Sequence, residues 1–287
     1  MVELVLDARA ELGEGPVWDP VAACLYFVDI EHGRVHRVDP AAGALRTYDA
    51  GSMVGAVALT DSGDLVMAVH SGFARLDLAT GHVQAIATVE RDPASRRMND
   101  GKVDSAGRCW AGTLAFDRQP TAALYRLDPG GVVHTMLTGV TTSNGLDWTG
   151  DGRVMYYIDT RTKAIDAFDF DLTSGGISNR RSIVRVPPDF GSPDGLTVDA
   201  EGGIWVAFWG GGAVRRFLPD GTLDRTIEMP VTHPTSCTFG GSDLRDLYIT
   251  SAAKPLGVAE RARQPLAGGV FRCRPGVQGR PANRFKG

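Results

Sequence analysis

The sequence predicts an all-β chain folded as a six-bladed β-propeller, a ring of small antiparallel sheets around one axis. Three observations carry this. First, apolar strand-like segments recur six times: CLYFVDI at 24–30, DLVMAVH at 64–70, RCWAGTL at 108–114, RVMYYID at 153–159, GIWVAFW at 203–209 and DLYITSA at 246–252. With Tyr26, Val66, Trp110, Tyr156, Trp205 and Tyr248 as markers, the spacings are 40, 44, 46, 49 and 43 residues, the size of a propeller blade. Second, each segment is followed by another strand ending in a turn, from VHRVDPAAG in the first unit to VFRCRPG in the last. Third, each is preceded by an element such as NDGKVDSAG or DGLTVDAEG, which alternates as a strand and turns through an Asp/Gly cluster. A β-sandwich would not hold three signals in one phase.

Each remaining stretch has a place in this ring. VELVLDA at 2–8 precedes the first full unit and is expected to pair in the last blade beside GGVFRC at 268–273, which closes the ring and removes open strand edges. No shift of composition separates the units, so residues 1–287 read as one domain. Helical periodicity is confined to a short turn near Ala259–Arg263. The 36 glycines are spread along the chain, as many tight turns require. Cys24, Cys109, Cys237 and Cys273 show no C-x-x-C spacing, and three lie in apolar runs, so they read as reduced core thiols. His32 and His36 read as surface residues.

Composition excludes several functions. The 34 acidic and 30 basic side chains leave a net charge of −4, with no clustered basic excess of the kind nucleic-acid binding needs. Apolar residues make up 43% of the chain, enough for a large core and too many for a disordered protein. No apolar run approaches the length of a membrane-crossing helix, and the opening residues lack a signal-peptide pattern. A cytoplasmic location, with no nucleic-acid, membrane or obligate protein partner, is the expectation.

In a propeller, equivalent positions on the innermost strands converge on the axis. Aligning the third element of each unit places Glu14, Val54, Asp100, Asn144, Asp194 and Ser236 in register. Glu14, Asn144 and Asp194 are oxygen donors from three blades, and Asn99 and Asp100 add two more from a fourth. Taken singly, Asn-Gly and Asp-Gly are hairpin-turn dipeptides. Here the turns are already supplied by later acids, namely Asp61, Asp104, Asp151 and Asp199. Oxygen donors crowded on one axis repel each other and call for a cation. With no His or Cys among them, a hard ion such as Ca²⁺ or Mg²⁺ fits first, and Zn²⁺ or Mn²⁺ remain alternatives.

Several segments also carry a family resemblance: GEGPVWD (13–19), LYFVDI (25–30), RMNDGKVDSAGRCWAGT (97–113), SNGLDW (143–148), YYIDT (156–160), PDGLTVDAEGGIWVA (193–207) and CTFGG (237–241). From about Leu12 to Gly269 the chain resembles the gluconolactonase/regucalcin/luciferin-regenerating-enzyme family, also called the senescence-marker-protein family. The resemblance implies a six-bladed propeller and one divalent metal, Ca²⁺ first, held by Glu14, Asn144 and Asp194. It further implies that Arg97 and Asn99 contact substrate, that Asp194 doubles as the base, and that Asp100 positions water. Asp117, in a loop whose sequence AFDRQPTA departs from the family's, falls where an acidic substrate contact is expected.

The activity implied is metal-dependent opening of a sugar lactone by water to an aldonic acid. Two alternatives stand beside it. The same site could cleave other esters or organophosphates, or the chain could be a calcium-binding regulatory protein whose metal is structural. Loops at 116–122 and 208–212 are expected to set specificity.

Overall fold

The apolar segments of the six units are buried on both faces because each lies between two neighbouring sheets. A computed structural model describes residues 1–90 and 92–287, and in it six four-stranded antiparallel sheets form the predicted ring. The innermost strands are Gly13–Asp19, Val54–Leu59, Arg96–Val103, Ser143–Trp148, Ser192–Val198 and Pro234–Gly240. The second strands are Cys24–Asp29, Leu65–Val69, Cys109–Ala115, Val154–Asp159, Ile204–Trp209 and Asp246–Ser251. These twelve strands are almost wholly buried, which is why they read as continuous apolar runs rather than alternating ones. Each blade ends on a half-exposed outer strand, such as Ala44–Asp49 or Leu223–Glu228, that no strong sequence signal marks.

The ring closes as expected. Glu3–Leu6 pairs with Val270–Cys273, Glu3 lying opposite Arg272, so the first strand of the chain is the outer strand of the sixth blade. The one α-helix among the described residues is Val258–Arg263. All four cysteines are buried free thiols. Among the described residues no helix is long and apolar enough to cross a membrane.

The turn acids do more than turn. Asp104 is fully buried, and its carboxylate accepts from the Ala106 and Arg108 backbone N–H groups, Arg108 Nε at 2.7 Å and Trp110 Nε1 at 2.9 Å. Asp199 repeats the pattern with Glu201, Gly203, Arg216 and Trp205. Each such carboxylate ties a hairpin to the large aromatic of the next strand.

The last residues form a strap that the repeat pattern does not announce. It crosses the ring at the end where the inner strands finish: the Gln278 carbonyl accepts from Ala200 N, Asn283 Nδ2 donates to the Val103 carbonyl, and Phe285 N donates to Leu59 O. Phe285 is buried in the core between blades two and three. The strap seals a small cavity of about 80 Å³ lined by Asp100, Lys102, Asp147, Ser236 and Arg280.

Candidate active site

A β-bulge near the start of each inner strand aims side chains at the axis. Pairing with the second strand slips between Glu14 and Val17, Val54 and Ala56, Met98 and Gly101, Ser143 and Leu146, Pro193 and Leu196, and Pro234 and Cys237. Such bulges re-aim side chains and bend the strand. They also correct the expected register. Met98, Ser143, Pro193 and Pro234 are equivalent, so Asn99, not Asp100, matches Asn144 and Asp194, and Thr235, not Ser236, completes the set. Aligning on the glycine of each dipeptide shifted the third blade by one residue.

The glycines after the donors serve blade packing. A Cβ on Gly145 would stand 2.6 Å from the Leu196 nitrogen and 2.7 Å from the Asp194 carbonyl oxygen, and one on Gly195 would stand 2.1 Å from Ser236 Oγ. Neighbouring inner strands thus approach too closely for any side chain there. Two further carboxylates fix the strand entries. Asp29 accepts from the Glu11 and Leu12 N–H groups, just before Glu14, and Asp159 accepts from Thr141 and Thr142, just before Asn144.

At the end of the ring opposite the strap lies an open cavity of about 490 Å³, within the range of small-molecule sites. Glu14, Arg97, Asn99, Asn144 and Asp194 line it, all buried. Asn99 Nδ2 donates to Asn144 Oδ1 at 3.0 Å and to the Ser143 carbonyl at 2.7 Å, while Arg97 Nη1 donates to Asn99 Oδ1 at 2.6 Å and to the Met98 carbonyl at 2.9 Å. Asn144 Nδ2 donates to Thr160 Oγ1 at 2.7 Å, and that hydroxyl donates to the Pro193 carbonyl at 2.9 Å.

Electrostatics mark the same residues. Burial, and then the charge of Asp100, push the Glu14 carboxyl up to about 8. Burial raises Asp194 well above the usual carboxylate range, with Glu14 and Asp100 adding to it against Arg97 and Asn144. Burial also lowers Arg97, against the pull of Glu31, Glu14 and Asp194. Neither Glu14 nor Asp194 has an ion-pair partner within 4 Å among the described residues. Two buried, mutually repelling carboxylates beside an amide oxygen form a donor set that suits a divalent cation. Among the described residues no group of three or more His, Cys, Asp or Glu is placed to hold a metal, so any ion here would rest on two carboxylates and amide oxygen.

Two expected residues stand elsewhere. Asp100 lines the sealed cavity, its carboxylate accepting from Gly101 N at 2.7 Å, with burial pushing it up to about 6. It acts on Glu14 and Asp194 through its charge. Asp117 lies outside the open cavity, in an exposed turn where its carboxylate accepts from Gln119 N at 2.9 Å. Its neighbours Phe116 and Arg118 line the cavity instead, as do Trp209, Arg161 and a Lys254–Glu31 ion pair at 2.6 Å. The loops at 116–122 and 208–212 therefore both reach the site. Thr160, the end of the YYIDT segment, is the cavity-lining neighbour of Asn144 that a reading by strand phase missed.

Comparison with known proteins agrees with this fold. Residues 12–253 match the family model described as SMP-30/gluconolactonase/LRE-like region. Regucalcin from Gallus gallus is 42% identical over 294 residues, covering 100% of this chain and 98% of that protein. The solved structure of a calcium-binding protein, regucalcin, from Agrobacterium tumefaciens superposes with a TM-score of 0.94 at 27% identity, covering 98% of this chain and 96% of that one. That of a gluconolactonase from Xanthomonas campestris gives 0.76 at 26% identity, covering 94% and 88%. The chain belongs to the SMP-30/gluconolactonase/LRE-like family.

Proposed function

We propose that this chain is a hydrolase that opens a sugar lactone to the aldonic acid, assisted by one divalent cation. The observation that carries the reading is the convergence of Glu14, Asn144 and Asp194, two of them buried carboxylates without ion-pair partners among the described residues, on the floor of an open cavity beside Arg97. These three would hold the ion. Their oxygens suit Ca²⁺ first, in keeping with the calcium-binding relative, and Zn²⁺, Mn²⁺ or Mg²⁺ next. When bound, such an ion polarises the lactone carbonyl and offsets the charge that develops on its oxygen.

The other steps fall to side chains. Asn99 uses its amide to lock Arg97 and Asn144 together, and with no partner for Arg97 Nε and Nη2 among the described residues, these atoms are available to ring hydroxyls or the product carboxylate. Phe116 and Trp209 offer apolar faces to the C–H side of a sugar ring. Asp194 has two oxygens: one suffices to hold an ion, and the other accepts a proton from the attacking water. As the C–O bond of the ring breaks, that proton passes to the departing ring oxygen, giving one hydroxyl and one carboxylic acid, whose remaining proton is released to solvent as the acid ionises to the carboxylate.

A panel of aldonolactones, followed with a pH indicator after chelation and after return of each ion, tests the reading. Turnover that vanishes with the chelator and returns with an ion supports it. Turnover of simple esters or organophosphates alone would move the substrate class while keeping the site. Tight cation binding without any turnover would favour the calcium-binding reading that the Agrobacterium relative suggests.

A further inference from the structure

The mouth of the cavity carries more positive charge than lactone opening needs. Glu31 and Lys254 neutralise each other, Glu14 and Asp194 are the carboxylates proposed to hold the ion, and Arg97 is turned onto Asn99. Arg118 and Arg161 are left over. Both line the cavity, both are exposed, and neither guanidinium has an ion pair or hydrogen bond among the described residues.

Nor do these side chains hold their own loops. The turn around Arg118 is made by its N–H donating to the Ala115 carbonyl, by Phe116 N donating to Ser95 O, and by the Asp117 carboxylate. The short 3-10 turn Thr160–Thr162 is closed by Asp159 and by Lys163 N donating to Thr160 O. The two residues stand on adjacent blades, three and four, so they flank one sector of the mouth.

A neutral sugar lactone offers these two cations hydroxyl oxygens and no charge to neutralise theirs. We propose that the substrate carries an anionic group (a carboxylate, phosphate or sulfonate) at the end remote from the lactone carbonyl, and that Arg118 and Arg161 clasp it. Forked guanidinium groups suit oxyanions of all three kinds. The proposal rests on the lactonase reading and narrows its substrate class.

The test compares kcat/KM for an aldonolactone with that for the same lactone bearing a terminal carboxylate, phosphate or sulfonate, at saturating calcium and two salt concentrations. The expected result is a preference of about tenfold or more for at least one charged lactone, smaller at high salt. In the Arg118→Ala/Arg161→Ala double variant the ratio of charged to neutral kcat/KM falls towards one, chiefly through KM, whereas Arg153→Ala on the far face keeps it. Turnover of the neutral lactone with no preference, or a preference that survives in the double variant, overturns the proposal alone. Turnover of no lactone overturns the lactonase reading and the proposal with it. The three charged arms identify which anion is bound.

A separate observation concerns Thr160. Its hydroxyl has one hydrogen, given to the Pro193 carbonyl, so its lone pair accepts from Asn144 Nδ2. The geometry assigns Thr160 as a positioning residue: it fixes which end of the Asn144 amide is oxygen for the ion, and ties that residue to the strand bearing Asp194. Outer partners of metal ligands typically affect affinity by about 10–100-fold. Calorimetric titration with calcium should show a loss of that size in Thr160→Val and its recovery in Thr160→Ser, with metal-free thermal unfolding alike in both. Wild-type affinity in the valine variant, or equal loss in the serine variant, contradicts the assignment.

Discussion

Asn99 of the third blade donates to Asn144 of the fourth across 3.0 Å, and this bond joins the two halves of the site, one proposed above to face substrate and the other to face the cation. On one side Asn99 holds the Arg97 guanidinium; on the other it braces the Asn144 amide oxygen. Under the proposed function, binding of the ion and placement of the lactone carbonyl are therefore linked through Asn99. Replacing Asn99 with Ala should weaken both calcium binding and lactone KM, and a variant that changes one alone would separate the two halves.

Asp194→Asn should lower turnover by about 10²–10⁴-fold, the usual contribution of a general base, while the propeller stays folded. Wild-type turnover would end its assignment as the base. The paired control is Asp104→Asn. That change strips a fully buried charge from Arg108, at a cost of up to about 3–5 kcal/mol, so melting temperature should fall while the folded fraction turns over nearly as wild type. Equal losses of turnover in the two variants would discredit the separation of axial acids from turn acids.

The pH dependence follows from Glu14 and Asp194. Both carboxyls are raised in the folded chain, Glu14 to about 8, so the folded state holds protons that the unfolded chain releases near its ordinary carboxylate pKa. Without metal, the Glu14 contribution to stability is fully present below about 4.5 and is lost as pH rises through about 8, and Asp194 acts in the same direction. Calcium, which takes the place of those protons, should bind more tightly and stabilise more as pH rises through the same window. Denaturation with and without calcium between about pH 5 and 9 measures this directly. A metal-free protein that grows more stable across the range would contradict it.

Gly145→Ala probes the blade junction. Its methyl group would meet the Leu196 nitrogen and the Asp194 carbonyl, both backbone atoms, so the strand carrying Asp194 must shift. Overpacking of this kind costs about 1–3 kcal/mol. Calcium affinity should fall with stability, and a stable variant with unchanged affinity would show that the strands have room to move.

The strap is expected to serve stability and not chemistry. Phe285→Ala empties a buried site between blades two and three and should cost about 3–5 kcal/mol, with calcium affinity of the folded protein preserved. Chemical denaturation and calorimetry on the same sample check both halves.

The parts that were legible in the sequence are those where burial is symmetric. LYFVDI and IWVAFW announce themselves because both faces of those strands are covered. The outer strand ALRTYD does not, because only Tyr48 in it is buried and its remaining side chains meet water. Glu14, Asn144 and Asp194 were found by phase, since a ring repeats its geometry in every blade. The same device misplaced Asp100, because the bulge lets Asp-Gly in one blade stand a residue later than Asn-Gly in the next. Arg118 and Arg161 lie in loops, whose paths no periodicity encodes, and the strap after Cys273 is held by single contacts with several blades.

The central claim is that one cation at Glu14, Asn144 and Asp194 is needed for lactone hydrolysis. It is tested most directly by titrating metal-free protein with calcium while recording bound ion and turnover of one aldonolactone in the same samples. The account predicts that the two curves superimpose, saturate at one ion per chain, and both collapse in Asp194→Asn. Full turnover at zero occupancy, or saturation with no turnover of any lactone, would contradict it.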